Sequence, residues 1–217
     1  MYLAEQMELK TGTTTVGVIA KDAVVLAADM KATLGNLGYE QEAQKIYKIT
    51  DKIAVTNAGS VGDSLTIIRF LRAHAKLYET ERGRPITAKA VATLLSNILN
   101  ANRIFPYIAQ FIIGGTEPEP ALYEVTPYGD LIPRDKFATS GSGTQLALAI
   151  LDSRYKKGLT RDQAIELAVR AVEASRKRDI YTGGKSISVT VITDKGVKEL
   201  SEKEVEKYIK KVSEGKK

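Results

Sequence analysis

Short β-branched runs occur along this chain in pairs, and long amphipathic stretches, also in pairs, separate them. Residues 13–20 (TTTVGVIA) and 23–29 (AVVLAAD) flank a turn at Lys21-Asp22, which predicts an antiparallel hairpin. Residues 45–50 and 53–59 repeat the arrangement around Asp51-Lys52. A helix is then expected over residues 63–81, with Ile67, Leu71, Ala75 and Tyr78 on one face, ended by Arg82-Gly83-Arg84-Pro85. Thr87 is placed to cap a second helix with the stripe Val91, Leu94, Leu95, Ile98 and Leu99. Strands return at 107–115 and 121–127, closed by Tyr128-Gly129. After a TSGSG loop (139–143) come a helix over 145–155, a longer one capped by Thr160, a strand over 186–193, a short strand and a charged terminal helix. Strand pairs alternating with helix pairs exclude a βαβ winding. They predict an α+β fold in which antiparallel sheets are sandwiched between helical layers.

The 217 residues, 43% hydrophobic and 27% charged, suit one globular domain with a sizeable core. No apolar run approaches the ~20 residues needed to span a bilayer. Residues 1–12 carry Glu5, Glu8 and Lys10 and lack the apolar run of a secretory signal, so a cytoplasmic protein with no membrane partner is expected. There is no cysteine and one histidine, His74, which lies in a helical pattern among Arg69, Arg72 and Lys76 and reads as a solvated residue. Zinc sites, thiol nucleophiles and a histidine-based triad therefore lose their raw material, and no metal or cofactor is expected. The net charge of +6 raises a nucleic-acid partner as a rival, but the basic residues are interleaved with acids, as in the last seventeen residues, and read as solvated faces.

Two near-motifs fail. Gly183-Gly184-Lys185-Ser186 ends like a phosphate-binding loop, yet Asp179 stands where that loop needs a glycine, and a strand follows where it needs a helix. Gly141-Ser142-Gly143 opens like a dinucleotide fingerprint, but Leu146 occupies the last glycine position; what remains is a tight turn with a hydroxyl at a helix start.

The segment Thr11-Gly12-Thr13-Thr14-Thr15-Val16-Gly17, taken alone, is an edge strand. Asp29 with Lys31, and Lys45 in AQKIYKI, change its meaning. With NAGSVGD (57–63), AVATLLSNILN (90–100), TSGSG and RKRD ending at Asp179, their order and spacing resemble proteasome β subunits of the archaeal type, members of the N-terminal-nucleophile hydrolase family, over nearly the whole chain. The resemblance implies a four-layer αββα sandwich, two stacked antiparallel sheets flanked by helices. It implies that residues 1–12 are a propeptide removed by cleavage between Gly12 and Thr13, leaving 13–217 as a single domain. Thr13 then matches the nucleophile, Asp29 and Lys45 the pair beside it, Ser142 and Asp179 the polar groups around its amine, and Gly59 the oxyanion-hole amide. Asn57 matches the floor of the primary specificity pocket, with Ala32, Ala43, Tyr47 and Val61 as walls. A polar floor implies a reduced preference for large apolar side chains. Lys31 stands where the family usually has arginine, and Thr182 where serine is usual.

The chemistry is coherent. A threonine hydroxyl needs a positioned base, and an α-amine titrates near ~7.7–8.0, close to working pH. Cleavage before Thr13 places both groups on one residue, which dispenses with histidine. Glycine at position 12 allows the backbone bend that self-cleavage requires. The implied assembly is seven-membered β rings enclosed by α-subunit rings in a four-ring particle, fed through the α ring by an ATPase regulator and degrading unfolded polypeptides. The rivals are a non-catalytic or partner-dependent β subunit of the same ring and a two-ring bacterial-type protease. Loss of Thr13, Asp29 or Lys45 would mark the first, and all three are present.

Overall fold

In the computed structural model, residues 12–35 and 37–214 are described. Two five-stranded antiparallel sheets account for most of the strands. One has the order β10-β1-β2-β11-β12, built from β1 (Thr15–Ile19), β2 (Ala23–Asp29), β10 (Phe137–Ser140), β11 (Ile187–Thr193) and β12 (Gly196–Glu199). The other has the order β5-β6-β7-β8-β9, built from β5 (Ile46–Thr50), β6 (Ile53–Gly59), β7 (Ala109–Gly115), β8 (Ala121–Val125) and β9 (Leu131–Arg134). A small hairpin, β3 (Ala32–Leu34) with β4 (Leu37–Glu40), stands apart. The helices are α1 (Val61–Arg82), α2 (Ala88–Ala101), α3 (Thr144–Arg154), α4 (Arg161–Arg176) and α5 (Glu202–Glu214).

Three apolar cores define four layers. Val16, Val18, Val25, Val189 and Val191 meet Leu151, Ala168 and Val172 under α3, α4 and α5. Ile53, Val55, Phe111 and Ile113 meet Ile67, Ile68, Leu71, Leu95 and Leu99 under α1 and α2. Val24, Leu26, Ile112, Leu122 and Ile192 fill the space between the sheets. Each central strand thus sends alternate residues into two cores, which is why β2 and β7 read as continuous apolar runs rather than alternating ones. This is the predicted αββα sandwich; the first hairpin keeps the register of its two-residue turn (Val16 opposite Ala27), whereas the second shifts by one residue between Lys48 and Thr50, which brings Tyr47 opposite Val55.

The helices begin where hydroxyl side chains satisfy their first N–H groups. Thr160 and Gln163 form a reciprocal capping box, Thr87 accepts from Ala90 N, and Ser60 accepts from Asp63 N. The Ser60 cap starts α1 two residues before the expected Asp63. His74 sits on the exposed face of α1, its ring 4.0 Å from that of Phe70.

The sheets approach closely at Gly17. A Cβ there would lie 2.8 Å from Leu122 Cδ1 and 3.0 Å from Ile112 Cγ2, so even alanine overpacks the inter-sheet core. Gly17→Val is expected to destabilise the chain by about 1–3 kcal/mol. Thermal unfolding of the isolated subunit checks this; an unchanged midpoint would contradict the packing described.

Candidate active site

The site lies at one end of the sandwich, where β1 starts, β2 ends and β5 begins. Thr13 is 5% exposed and lines a small cavity with Gly12, Lys31, Ala32, Ala43, Lys45, Asn57, Gly59 and Val61. Its hydroxyl donates to the Gly12 carbonyl oxygen at 2.7 Å, which holds the oxygen of residue 13 against the carbonyl before it. Gly12 is buried, and a Cβ at that position would fall inside the Tyr181 side chain. Of the proposed propeptide, residues 1–11 lie outside the described residues.

Asp29 ends β2 and is fully buried. Oδ1 accepts from Lys45 Nζ at 2.7 Å and from Thr14 N at 2.9 Å; Oδ2 accepts from Gly183 N at 2.9 Å and Lys31 N at 3.2 Å. Four donors compensate a carboxylate removed from water. Lys45, 5% exposed, is thereby held beside Thr13. Burial pulls its ammonium below the ordinary value of 10.5, while Asp29, by charge and by hydrogen bond, pulls the other way. Lys45 is the residue before β5, turned inward.

On the other side, Thr13 N donates to Ser142 Oγ at 3.2 Å, and the Ser142 hydroxyl donates to Asp179 Oδ2 at 2.5 Å. Asp179 follows α4 and also accepts from Thr182 Oγ1 at 2.5 Å, so the Thr14 hydroxyl, 2.7 Å from Thr182 Oγ1, is the donor in that pair. The nitrogen of residue 13 is thus linked through the Ser142 hydroxyl to the Asp179 carboxylate. Gly59 closes β6 with φ 123°, and a Cβ there would strike the Ile108 carbonyl, so only glycine carries the backbone past this corner of the cavity.

Of the expected pocket residues, Ala32, Ala43, Asn57 and Val61 reach the cavity. Tyr47 does not. Its position in β5 turns the ring into the core under α1 and α2, and its hydroxyl donates to Gln44 O at 2.8 Å. Alternation along the strand forces this: Ile46 faces the other sheet, so Tyr47 must face the helices. Lys31 and Gln44 line the cavity without having been expected there. Thr14 was missed as a partner of Thr182, and so was a buried hydroxyl chain in which Thr56 donates to Thr15 (3.0 Å) and Thr15 meets Ser140 (2.7 Å). A run of three threonines hides which of them does what. Lys185, from the rejected phosphate-loop motif, points outward to Glu42 and Glu202.

A family model described as "Proteasome subunit" matches residues 9–192. The chain belongs to the proteasome family, as a β-type subunit of the archaeal kind. Among its relatives are "Proteasome subunit beta 1" of Pyrococcus furiosus, 52% identical over 89% of this chain and 98% of that protein, and "Proteasome subunit beta 2" of Thermococcus onnurineus, 50% identical over 88% and 94%. "Proteasome subunit beta 1" of the same Thermococcus is 43% identical over 96% of this chain and all of that protein. Members of the proteasome family are generally threonine proteases, and a β-type subunit assembles with other subunits into the proteasome particle.

Proposed function

We propose that this chain is a catalytic β subunit of a 20S core particle, a threonine endopeptidase that degrades unfolded polypeptides in an enclosed chamber after removing residues 1–12 from itself. The observation that carries this reading is the placement of the Thr13 hydroxyl, 2.7 Å from the Gly12 carbonyl oxygen, in a site where a buried Asp29 holds Lys45. In self-cleavage the Thr13 oxygen attacks the Gly12 carbonyl carbon, the C–N bond breaks as the nitrogen takes a proton, and the resulting ester is hydrolysed by water. The freed amine then accepts the hydroxyl proton during attack on a substrate carbonyl. Lys45, protonated, favours the deprotonated forms of both groups. Ser142 and Asp179 orient the amine, and the Gly59 N–H is the donor for the tetrahedral oxyanion, a type of contact that contributes about 3 kcal/mol elsewhere. Partners are the α subunits, other β subunits and an ATPase acting through the α ring.

A second reading, processing only alongside another β subunit, is favoured by the occurrence of both a beta 1 and a beta 2 protein in Thermococcus onnurineus. One experiment separates them. The chain is assembled with α subunits alone, and intact mass and peptide hydrolysis are measured. Loss of residues 1–12 with hydrolysis is the expected result. Retention of the leader with α subunits alone, relieved by adding a second β subunit, supports the partner-dependent form. A leaderless particle that hydrolyses nothing refutes the catalytic reading.

A further inference from the structure

The bond between Gly12 and Thr13 has a neighbour that the proposed chemistry does not use. Gly12 packs directly on Tyr181: a Cβ built at Gly12 would overlap Tyr181 Cβ and Cγ and lie 2.9 Å from Tyr181 Cα, inside the ~3.5 Å at which carbon atoms come to rest. Tyr181 is not free to give way. Its N–H donates to Asp179 Oδ1 at 3.2 Å, and the carbonyl before it accepts from Lys31 Nζ at 2.7 Å. The turn that carries it is tied to the end of α4 by Asp179 N on Ser175 O (2.8 Å) and to the end of β2 by Gly183 N on Asp29 Oδ2 (2.9 Å). The peptide group between residues 12 and 13 is itself held by two hydrogen bonds, Thr13 N to Ser142 Oγ at 3.2 Å and Thr13 Oγ1 to the Gly12 oxygen at 2.7 Å. Two points leave the group able to rock about the line that joins them. Tyr181 supplies the third.

We infer that Tyr181 is a positioning residue for self-cleavage: its side chain backs Gly12 and holds the Gly12 carbonyl carbon in the path of the Thr13 oxygen. In that step the bond from Thr13 Oγ1 to the carbonyl carbon forms, the C–N bond breaks and the hydroxyl proton ends on the residue-13 nitrogen. A displacement of about 1 Å at the reacting atoms costs on the order of 10²-fold in rate. Glycine is needed at position 12 because this wall leaves no room for a Cβ, a demand separate from any bend of the backbone. The contact serves self-cleavage alone. Gly12 departs with the leader, and a substrate residue that carries a Cβ is barred from the place Gly12 held. The inference rests on the reading of Gly12–Thr13 as a self-cleaved bond.

The test assembles full chains with α subunits, follows loss of residues 1–12 by intact mass over time, and measures kcat on a peptide per processed subunit. Tyr181→Phe keeps the Cβ and Cγ that back Gly12 and should shed the leader at the wild-type rate. Tyr181→Ala and Tyr181→Gly should slow leader loss progressively, the glycine variant by about tenfold or more, with a much smaller change in kcat. Gly12→Ala should slow leader loss by on the order of 10²-fold. On that background the effect of Tyr181 should reverse: Gly12→Ala with Tyr181→Gly, which removes the overlapping atoms, should shed the leader faster than Gly12→Ala alone. A merely structural role for Tyr181 would not produce that reversal. Wild-type processing in Tyr181→Gly, wild-type processing in Gly12→Ala with Tyr181 in place, no gain from the double change, or a kcat that falls as far as leader loss does overturns the inference and leaves the proposed activity standing. Wild-type chains that keep the leader both with and without a second β subunit remove the inference together with self-cleavage.

Discussion

Thr13→Ala subunits, assembled with α subunits, will keep residues 1–12 and will lose peptide hydrolysis by on the order of 10³-fold or more. Both losses come from one atom. The side-chain oxygen that donates to the Gly12 carbonyl is the attacking group in self-cleavage, and without cleavage the residue-13 nitrogen stays an amide that cannot accept a proton. Thr13→Ser separates chemistry from packing, because it keeps the oxygen and gives up only a methyl group. It should shed the leader and retain much of the hydrolysis. Intact mass and initial rates read the two effects on the same sample. An alanine variant that loses its leader, or that digests peptides at the wild-type rate, would remove Thr13 from the mechanism.

The second large effect falls on the buried pair, and the two partners are not equivalent. Asp29→Ala leaves the Lys45 ammonium buried without its carboxylate and strips an acceptor from the N–H groups of Thr14, Lys31 and Gly183. The cost should be about 3–5 kcal/mol, a fall in melting temperature on the order of 10 °C for a chain of this size. Lys45→Met keeps the bulk of the stem and leaves Asp29 with three backbone donors, so the loss should be nearer 1.5–3 kcal/mol. Hydrolysis, by contrast, should fall by about 10²–10⁴-fold in Lys45→Met, because the cation beside Thr13 is gone. Melting curves and kcat on the two variants test this split between structure and chemistry. Equal melting temperatures would show that the backbone bonds to Asp29 carry little.

The same pair sets a pH dependence. Burial lowers the Lys45 pKa in the folded chain, so the unfolded chain binds that proton more tightly. Protonated Lys45 therefore costs stability at neutral pH. The cost is relieved as pH rises between the lowered value and the ordinary 10.5. Activity should move the opposite way, declining in that window as the cation near Thr13 is lost. In Lys45→Met the alkaline rise in stability should disappear from this group.

The layered order of the fold was legible wherever a segment buried a face. Both N-terminal hairpins, the stripes of α1 and α2, and the cap at Thr160 all follow from local periodicity and hydroxyl placement. Four strands were not legible. β4 is exposed on both sides and β3 is at most half-buried, with Leu34, Leu37 and Tyr39 each more than half accessible, so no alternation marks them. β9 contains Pro133, which weakens a strand signal and is tolerated at the sheet edge where β9 lies. β10 ends in Thr139 and Ser140, polar residues buried by pairing with β1 and indistinguishable by sequence from the loop after them.

The order of residues by itself determined the layered sandwich, because local periodicity is a property of the chain, and the grouping of Thr13, Asp29, Lys45, Ser142 and Asp179 was what the resemblance to proteasome β subunits implied. Tertiary structure alone decided the rest. Lys45 became a buried cation through contact with Asp29, sixteen residues away, and Tyr47 left the pocket through the pleat of β5. The side-chain oxygen of Asn57 became buried without a hydrogen-bond partner among the described residues. Burial and partnership arise between segments distant in sequence, and no local pattern encodes them.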